Sequence, residues 1–304
     1  MLTIQDPAKG LVAHGVSTCA GCGLELAIRV ILDVLGEKTA IIIPPGCAAL
    51  FSGYGNETTL KIPGFQGNLE NTAAIAAGVR AGFDHQGITD MTVLGMAGDG
   101  ATADIGLQSL SGAFERGDRI LYVCYDNEAY MNTGIQASSS TPLLAATTTT
   151  PAGKPVTRKN LMQIVGAHGI AYAATASVGY VDDLRKKVVK AKAADGPAFL
   201  HIHAPCPTGW GYVPAKTIEL AKLAVTTHCW NLYELINGRD ITITKKIKKT
   251  KPVNAYLALQ KRFKGVTEEG LAQIQAQVDS DYAYLERLAA LAAQDSVHKI
   301  ETAL

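Results

Sequence analysis

Four of the six cysteines stand in sequence contexts that suit metal ligation. Cys19 and Cys22 form a CxxC pair directly before a predicted helix, and Cys47 and Cys206 lie in the turn-rich contexts PGC and APCP. A positive helix end beside both thiols of the pair should lower their pKa and favour ligation. Four such thiolates can hold a tetrahedral zinc ion or an iron–sulfur cluster, and spacing alone does not separate the two. A redox-active pair is a further interpretation of CxxC.

A second group of residues suits the binding of a diphosphate and a cation. Gly98-Asp99-Gly100 follows a predicted strand, and Asn127 comes one helix and one strand later. Glycines at a strand end let backbone amides approach a diphosphate, and the following helix adds a positive dipole. Asp99 and Asn127 offer side-chain oxygens to Mg²⁺, and a backbone carbonyl near Ala129 offers a third. The tripeptide alone could be a tight turn, but its distance from Asn127 matches the thiamine-diphosphate motif.

No nicotinamide site is expected, because no GxGxxG sequence opens a helix after the first predicted strand. The other two cysteines carry no ligand pattern. Cys124 lies within the strand-like sequence RILYVCY and is expected in the core, whereas Cys229 has no assigned role.

Alternating strands and helices must position these residues. The predicted strands are 39–43, 91–97, 119–125, 170–175 and 197–202, and the predicted helices are 23–35, 68–81, 104–116, 160–168 and 181–194. This alternation predicts an α/β fold with a doubly wound, mostly parallel sheet. Ligands bind such sheets at the carboxyl ends of the strands. Cys47, Asp99, Asn127 and Cys206 each follow a strand, so we expect them at one edge.

Two regions depart from this alternation. Residues 131–157 are polar and include SSST and TTTT, and a structureless stretch of this length is usually functional. Beyond residue 215 the sequence becomes more charged, with a basic run at Lys245–Lys251 that we interpret as a solvated face. We therefore expect a site-bearing α/β domain over residues 1–215 and a mostly helical C-terminal extension over residues 216–304.

Composition excludes several classes of protein. The 28 Lys and Arg residues balance 27 Asp and Glu residues, for a net charge of +1, without the basic excess of a nucleic-acid-binding protein. A hydrophobic content of 47% allows a sizeable core and argues against disorder. Six cysteines in 304 residues are too few for a disulfide-stapled secreted scaffold. No signal-peptide pattern or membrane-length apolar run is present, so we expect a cytoplasmic protein without membrane contact.

Together the motifs resemble the β subunit of 2-oxoacid:ferredoxin oxidoreductases, the family of pyruvate:ferredoxin oxidoreductase (pyruvate synthase). The matching pieces are CAGCG at 19–23, GDGATADIG at 98–106, YDNEAYMNTGIQ at 125–136, SSSTP at 138–142 and HAPCPTGW at 203–210. The resemblance implies a fold of the thiamine-diphosphate-binding type and oxidative decarboxylation of a 2-oxoacid, with ferredoxin as electron acceptor. It favours pyruvate, with coenzyme A then as co-substrate. Residues 44–69 match only loosely, which leaves oxalate or an aryl-glyoxylate open.

The resemblance also implies ligands for each cofactor. One 4Fe–4S cluster would be bound by Cys19, Cys22, Cys47 and Cys206. Mg²⁺ would be bound by Asp99, Asn127 and the Ala129 carbonyl. Thiamine diphosphate would lie against Gly98, Asp99, Gly100, Ala101, Asn127, Ala129, Met131 and Asn132. Asn132 and Thr133 would face the substrate as catalytic residues.

One component of a thiamine site has no counterpart in this sequence. Thiamine enzymes need a glutamate against the aminopyrimidine ring, carried on a separate pyrimidine-binding domain. Only one thiamine-type domain fits here, and Glu25, Glu57, Glu70 and Glu128 lie in no recognisable pyrimidine-domain context. We therefore expect a hetero-oligomer whose sister subunits supply this glutamate and further iron–sulfur clusters.

Two other functions stay open. One is a non-redox thiamine-diphosphate carboligase or decarboxylase subunit in which the four cysteines hold a structural zinc ion. The other is a catalytically dead thiamine-fold subunit kept for assembly, and the intact pair of Asp99 and Asn127 argues against it.

Overall fold

One sheet of eight strands organises the structure, a computed structural model that describes residues 10–53 and 58–301. The strands are β1 (Thr39–Ile43), β2 (Gly64–Gln66), β3 (Thr92–Gly98), β4 (Leu121–Asp126), β5 (Tyr172–Ser177), β6 (Ala198–His203), β7 (Tyr233–Ile236) and β8 (Asp240–Ile243). Their order is β2-β1-β3-β4-β6-β5-β7-β8. Strands β1 to β6 pair with one another only in parallel. Strand β7 pairs antiparallel with β5 on one side and with β8 on the other. The predicted α/β fold with a mostly parallel sheet is confirmed.

Helices cover both faces of the sheet. They are α1 (Gly23–Leu35), α2 (Thr72–His85), α3 (Leu107–Glu115), α4 (Leu161–Gly166), α5 (Val181–Lys192), α6 (Pro207–Trp210), α7 (Thr217–Thr226), α8 (Asn254–Leu257) and α9 (Glu268–Glu301). Helices α1 and α5 pack on one face, and α2, α3 and α4 pack on the other. Side chains alternate accordingly, because Ile41 and Ile43 join the first cluster and Ile42 joins the second. Burial on both faces explains the unbroken apolar sequence of β1.

The C-terminal region is mostly helical, as the sequence predicts, but it also contains a β-hairpin that the sequence pattern did not indicate. The hairpin of β7 and β8 extends the sheet beyond β5. Asn237 and Gly238, in the connecting turn, have φ angles of 52° and 71°, and an Asn-Gly pair tolerates such positive values in tight hairpins. Helix α9 contacts β8 and helps to form a third apolar cluster around Trp210. The division of the chain at residue 215 stays a prediction.

None of the helices within residues 10–53 and 58–301 has the length and apolarity needed to cross a membrane.

Candidate functional site

The carboxyl ends of β1, β3, β4 and β6 lie side by side at one edge of the sheet. The strands are parallel neighbours, and their register pairs Gly98 with Tyr125 and Asp126 with His203. The segments that follow these strands carry Cys47, Asp99, Asn127 and Cys206. The prediction that these groups share one edge is therefore confirmed.

Three oxygen atoms converge at the ends of β3 and β4. The side-chain oxygen of Asn127 faces Asp99 Oδ1 at 3.0 Å and the Ala129 carbonyl oxygen at 2.9 Å. Turning the amide over would replace both contacts with N–H···O hydrogen bonds. The orientation with three oxygens is also favourable around a cation, since neighbouring ligands of an octahedral Mg²⁺ at ~2.1 Å lie about 3.0 Å apart. The arrangement can therefore hold a small divalent cation.

The electrostatics of Asp99 favour a bound cation. Asp99 is fully buried, and burial, together with the nearby charge of Asp126, raises the pKa of its carboxyl well above the usual range. The Ser138 hydroxyl donates a 2.5 Å hydrogen bond to Asp99 Oδ2, which opposes this rise. A buried carboxylate is costly without a positive partner. A cation beside Asp99 would offset that cost.

The turn after Asp99 is closely packed. It is a π-helical turn, Gly100–Ile105, which leads into α3 and in which Gly100 and Ala101 are buried. A Cβ atom at Gly100 would lie 2.4 Å from the Tyr130 ring, and the Tyr130 hydroxyl donates to the Gly100 carbonyl at 3.2 Å. A side chain at this position would have to displace the Tyr130 ring, and π-helical turns frequently mark functional sites.

The polar segment 131–157 folds against this turn without a regular helix or strand. Besides Ser138, its Thr141 hydroxyl donates to the Glu128 carbonyl at 2.6 Å, and the buried Lys154 donates to the Thr141 carbonyl at 2.8 Å. Asn132 and Thr133 lie on an exposed turn of the segment. Met131 reaches toward α6, because a Cβ atom at Gly209 would lie 2.1 Å from Met131 Sδ.

Sequence reasoning missed a set of ion pairs next to the site, most of whose members are buried. Glu128 lies between Asn127 and Ala129, with one carboxylate oxygen 3.3 Å from Arg158 Nη1 and the other paired with Arg262. Asp126 pairs with His201 at 2.7 Å. Burial would raise the pKa of Asp126, but the hydrogen bond and charge of His201 outweigh it and lower that pKa. No motif joins these residues, since Arg262 lies 134 positions after Glu128.

The four candidate thiols influence one another's ionisation. Cys19 is exposed, and Cys22, Cys47 and Cys206 are half-buried free thiols. Burial, with a smaller contribution from the charges of Cys206 and Cys19, raises the pKa of Cys22 to about 11 and that of Cys47 to about 12. The expected lowering of the pKa by the helix end is wrong for Cys22, because burial outweighs its backbone hydrogen bonds.

Within the described residues, no three Cys, His, Asp or Glu side chains lie close enough to hold a single metal ion. The loops that carry the thiols are nevertheless fixed by direct contacts. The Ala48 N–H, next to Cys47, donates to the Tyr125 hydroxyl at 3.1 Å. The Gly209 N–H donates to Cys206 Sγ at 3.3 Å.

Comparison with known proteins identifies the family of the chain. Residues 45–202 match the family described as thiamine pyrophosphate enzyme, C-terminal TPP binding domain. The chain is 50% identical over 282 residues to pyruvate synthase subunit PorB of Methanothermobacter thermautotrophicus, across 91% of this chain and 98% of that protein. It is 44% identical over 286 residues to ketoisovalerate oxidoreductase subunit VorB of Pyrococcus abyssi, across 90% and 92% of the two chains. The chain belongs to the β-subunit family of 2-oxoacid:ferredoxin oxidoreductases.

Members of this family are subunits of thiamine-diphosphate-dependent oxidoreductases, and the matched domain supports thiamine diphosphate as the cofactor of this β subunit. The family suggested by the sequence motifs is confirmed. Among solved structures, 2-oxoglutarate:ferredoxin oxidoreductase from Magnetococcus marinus, with 2-oxoglutarate, coenzyme A and succinyl-CoA bound, superposes with a TM-score of 0.58. It is 20% identical over 70% of this chain and 79% of that chain, and it shows the shared fold alone.

The remaining candidate residues of the β subunit have the following places. Glu25 pairs with Arg29 at 2.8 Å, and Glu128 pairs with two arginines, so two of the four glutamates are already engaged. Glu57 lies outside the described residues. Cys124 is buried in the core, as expected. Burial raises the pKa of Cys229 to about 11.

Replacing Gly23 with Ala should disturb the thiol site of the β subunit. A Cβ atom at Gly23 would lie 2.8 Å from the backbone carbon of Ala204, which neighbours the loop of Cys206. Backbone atoms cannot rotate away, so the loop of Cys22 must move and stability should fall by about 1–3 kcal/mol. We expect a lower thermal midpoint and less of the iron that the sequence resemblance implies. Gly78→Ala in α2 is the control, because a Cβ atom there meets nothing within 4 Å. Equal iron content in the two variants would contradict this prediction.

Proposed function

We propose that this chain is the thiamine-diphosphate- and cluster-binding subunit of a hetero-oligomeric 2-oxoacid:ferredoxin oxidoreductase. Asp99, Asn127 and the Ala129 carbonyl would bind Mg²⁺ and, through it, the diphosphate. The observation that carries the proposal is the convergence of three oxygens at 2.9 and 3.0 Å, beside the strand that leads to Cys206. Three such oxygens leave positions open for phosphate oxygens and water, as Mg²⁺ sites commonly do.

Cys19, Cys22, Cys47 and Cys206 would bind a 4Fe–4S cluster. Support comes from their mutual electrostatic influence and from the Gly209 N–H donated to Cys206 Sγ, a type of hydrogen bond that tunes clusters. Positive iron would also offset the cost of ionising the buried thiols. The alternative of one structural zinc ion is an outcome of the experiment below.

The loop after the cation-binding residues contacts the loop that carries Cys206. This contact supports a role for both centres in one reaction. Thiamine diphosphate, when bound, supplies the carbanion chemistry that releases CO₂ from a 2-oxoacid, and a cluster accepts electrons singly. The β subunit supplies the placement. Met131 follows the cation-binding residues by two positions and contacts Gly209, whose N–H donates to Cys206. Asn132 and Thr133 are exposed beside Met131, where substrate and a sister subunit could approach.

Pyruvate is the substrate we propose first, with coenzyme A as co-substrate and ferredoxin as acceptor. Support comes from the 50% identity to a relative named pyruvate synthase subunit, against 44% to one named ketoisovalerate oxidoreductase subunit. The assembled enzyme should be tested with pyruvate, 3-methyl-2-oxobutanoate, oxalate and phenylglyoxylate, with viologen reduction as the readout. We expect the highest kcat/KM with pyruvate and dependence on coenzyme A. A higher value with another acid would reassign the substrate.

The β subunit purified alone should contain iron but should not oxidise 2-oxoacids. We propose that sister subunits supply both the activating glutamate and the further clusters that carry electrons away. Anaerobic protein should be brown, with broad absorption near ~400 nm that bleaches on reduction. Adding the sister subunits should restore viologen reduction. Turnover by the isolated subunit would overturn the partner proposal, and a colourless protein with one zinc ion would end the redox proposal.

A further inference from the structure

The turn that carries two of the cation-facing oxygens has an unusual backbone conformation. Glu128, between Asn127 and Ala129, has a φ of 65°, which is uncommon and unfavourable for a residue other than glycine. Its N–H donates to Asp126 Oδ1 at 2.9 Å, and its carbonyl accepts from the Thr141 hydroxyl at 2.6 Å. Such a conformation persists only when its surroundings hold it.

The side chain of Glu128 is held by charge. It is 2% exposed, and its carboxylate lies between Arg158 and Arg262. The Arg262 side chain is 4% exposed, whereas that of Arg158 is 31% exposed. Arg262 is thus the buried partner, and removal of one member of a buried ion pair leaves a costly charge.

Arg262 also acts on the turn through a second residue. Its guanidinium lies 3.9 Å from the centroid of the Trp210 ring, and Trp210 is fully buried. The indole N–H of Trp210 donates to the Asn127 carbonyl at 2.8 Å. A guanidinium over a desolvated indole is an attractive contact that fixes the plane of both groups. One arginine therefore contacts both the Glu128 carboxylate and the indole ring that donates to the Asn127 carbonyl.

We propose that Arg262 is a positioning residue for the cation site, acting through Glu128 and Trp210 on the oxygens of Asn127 and Ala129. The inference rests on the proposed function, because it takes those oxygens as Mg²⁺ ligands. Arg262 comes from the C-terminal region, more than 130 residues after the turn, so that region sets the geometry of the site as well as covering the sheet. Partners that orient metal ligands in this way typically change metal affinity by about 10- to 100-fold.

The test measures the Mg²⁺ concentration at which the assembled enzyme retains half of its thiamine diphosphate. Arg262→Met should raise that concentration by at least about tenfold while iron content stays at the wild-type level. Arg262→Lys, which keeps the charge beside Glu128, should recover part of the loss. The double variant Arg262→Met, Glu128→Gln should also recover part of the loss. Without Arg262 the Glu128 carboxylate would keep only Arg158 as a partner, and glutamine removes that unbalanced charge. Arg287→Met, an exposed arginine over Tyr284, is the matched control and should change nothing.

Trp210→Phe provides the second arm if Arg262→Met does not assemble. It keeps a ring below the guanidinium but removes the N–H donated to Asn127, so it should also raise the Mg²⁺ requirement. Wild-type Mg²⁺ dependence in Arg262→Met, or in both Arg262→Lys and Trp210→Phe, would overturn the inference. If the wild-type enzyme itself retains thiamine diphosphate without a divalent cation, the proposed cation site fails instead, and the two failures are distinct.

Discussion

Asp99→Asn in the assembled enzyme should abolish Mg²⁺-dependent retention of thiamine diphosphate while leaving the iron content unchanged. The substitution removes the only carboxylate among the three converging oxygens but preserves shape. Loss of an outer partner typically costs about 10- to 100-fold in metal affinity, so loss of a direct ligand should cost at least about 100-fold. Turnover of the 2-oxoacid should fall in proportion to the lost cofactor.

The same substitution should stabilise the protein when no cation is bound. Burial raises the pKa of Asp99 well above its value in the unfolded chain, so ionisation of this carboxyl favours the unfolded state. This penalty is absent at low pH, where the carboxyl is protonated in both states, and it grows as pH rises above the unfolded pKa. Asparagine removes it.

The measurements are equilibrium dialysis of thiamine diphosphate across a Mg²⁺ series and thermal unfolding of metal-free protein. Asp90→Asn is the control, because Asp90 is exposed and pairs only with Lys38 among the interactions described. The expected pattern is lost cofactor retention and a higher thermal midpoint for Asp99→Asn alone. Wild-type retention by Asp99→Asn would remove Asp99 from the cation site.

Cys206→Ser should eliminate electron transfer while thiamine diphosphate still binds. Serine cannot replace a thiolate as an iron ligand of comparable strength, and the Gly209 N–H would lose its sulfur acceptor. We expect loss of the absorption near ~400 nm, an iron content well below roughly four atoms per β subunit, and 2-oxoacid-dependent viologen reduction at background.

Cys229→Ser is the matched control for this loss. The Cys229 thiol is half-buried and lies near Arg158 and Glu128 rather than near the four candidate ligands. Metal analysis and visible spectra of the anaerobic complexes should therefore show wild-type values for Cys229→Ser. Viologen reduction at the wild-type rate in an iron-free Cys206→Ser enzyme would exclude the cluster from the reaction.

Much of the fold was predictable because periodicity and turn signals agree locally. The limits of α1 and β1 were predicted to the residue, since helical spacing ends at Gly36 and a β-branched run ends at Pro44. The shared functional edge followed from parallel topology rather than from any contact. The β7–β8 hairpin was missed although Asn237-Gly238 is a strong turn signal, because its strands are only four residues each.

The environment of the site was less predictable because it depends on residues far apart in sequence. Nothing near Glu128 indicates that Arg262 will neutralise it, and nothing near Asn127 indicates the Trp210 donor. The rise in the pKa of Cys22 was unpredictable for the same reason. Helix position was visible in the sequence, whereas the burial that outweighs it exists only after folding.

The spacing of these contacts also constrains the order of events during synthesis. Cys19 and Cys206 are separated by nearly the whole α/β region, and the Gly21 carbonyl beside Cys19 accepts from Thr217, 196 residues later. Translation proceeds at ~5–20 residues per second from the N-terminus. Cys206 is therefore synthesised at least about ten seconds after Cys19. Arg262 is synthesised later still, so Glu128 lacks this partner until then. In the proposed enzyme, loading of the iron and thiamine centres would consequently be a late step, completed only after the C-terminal region leaves the ribosome.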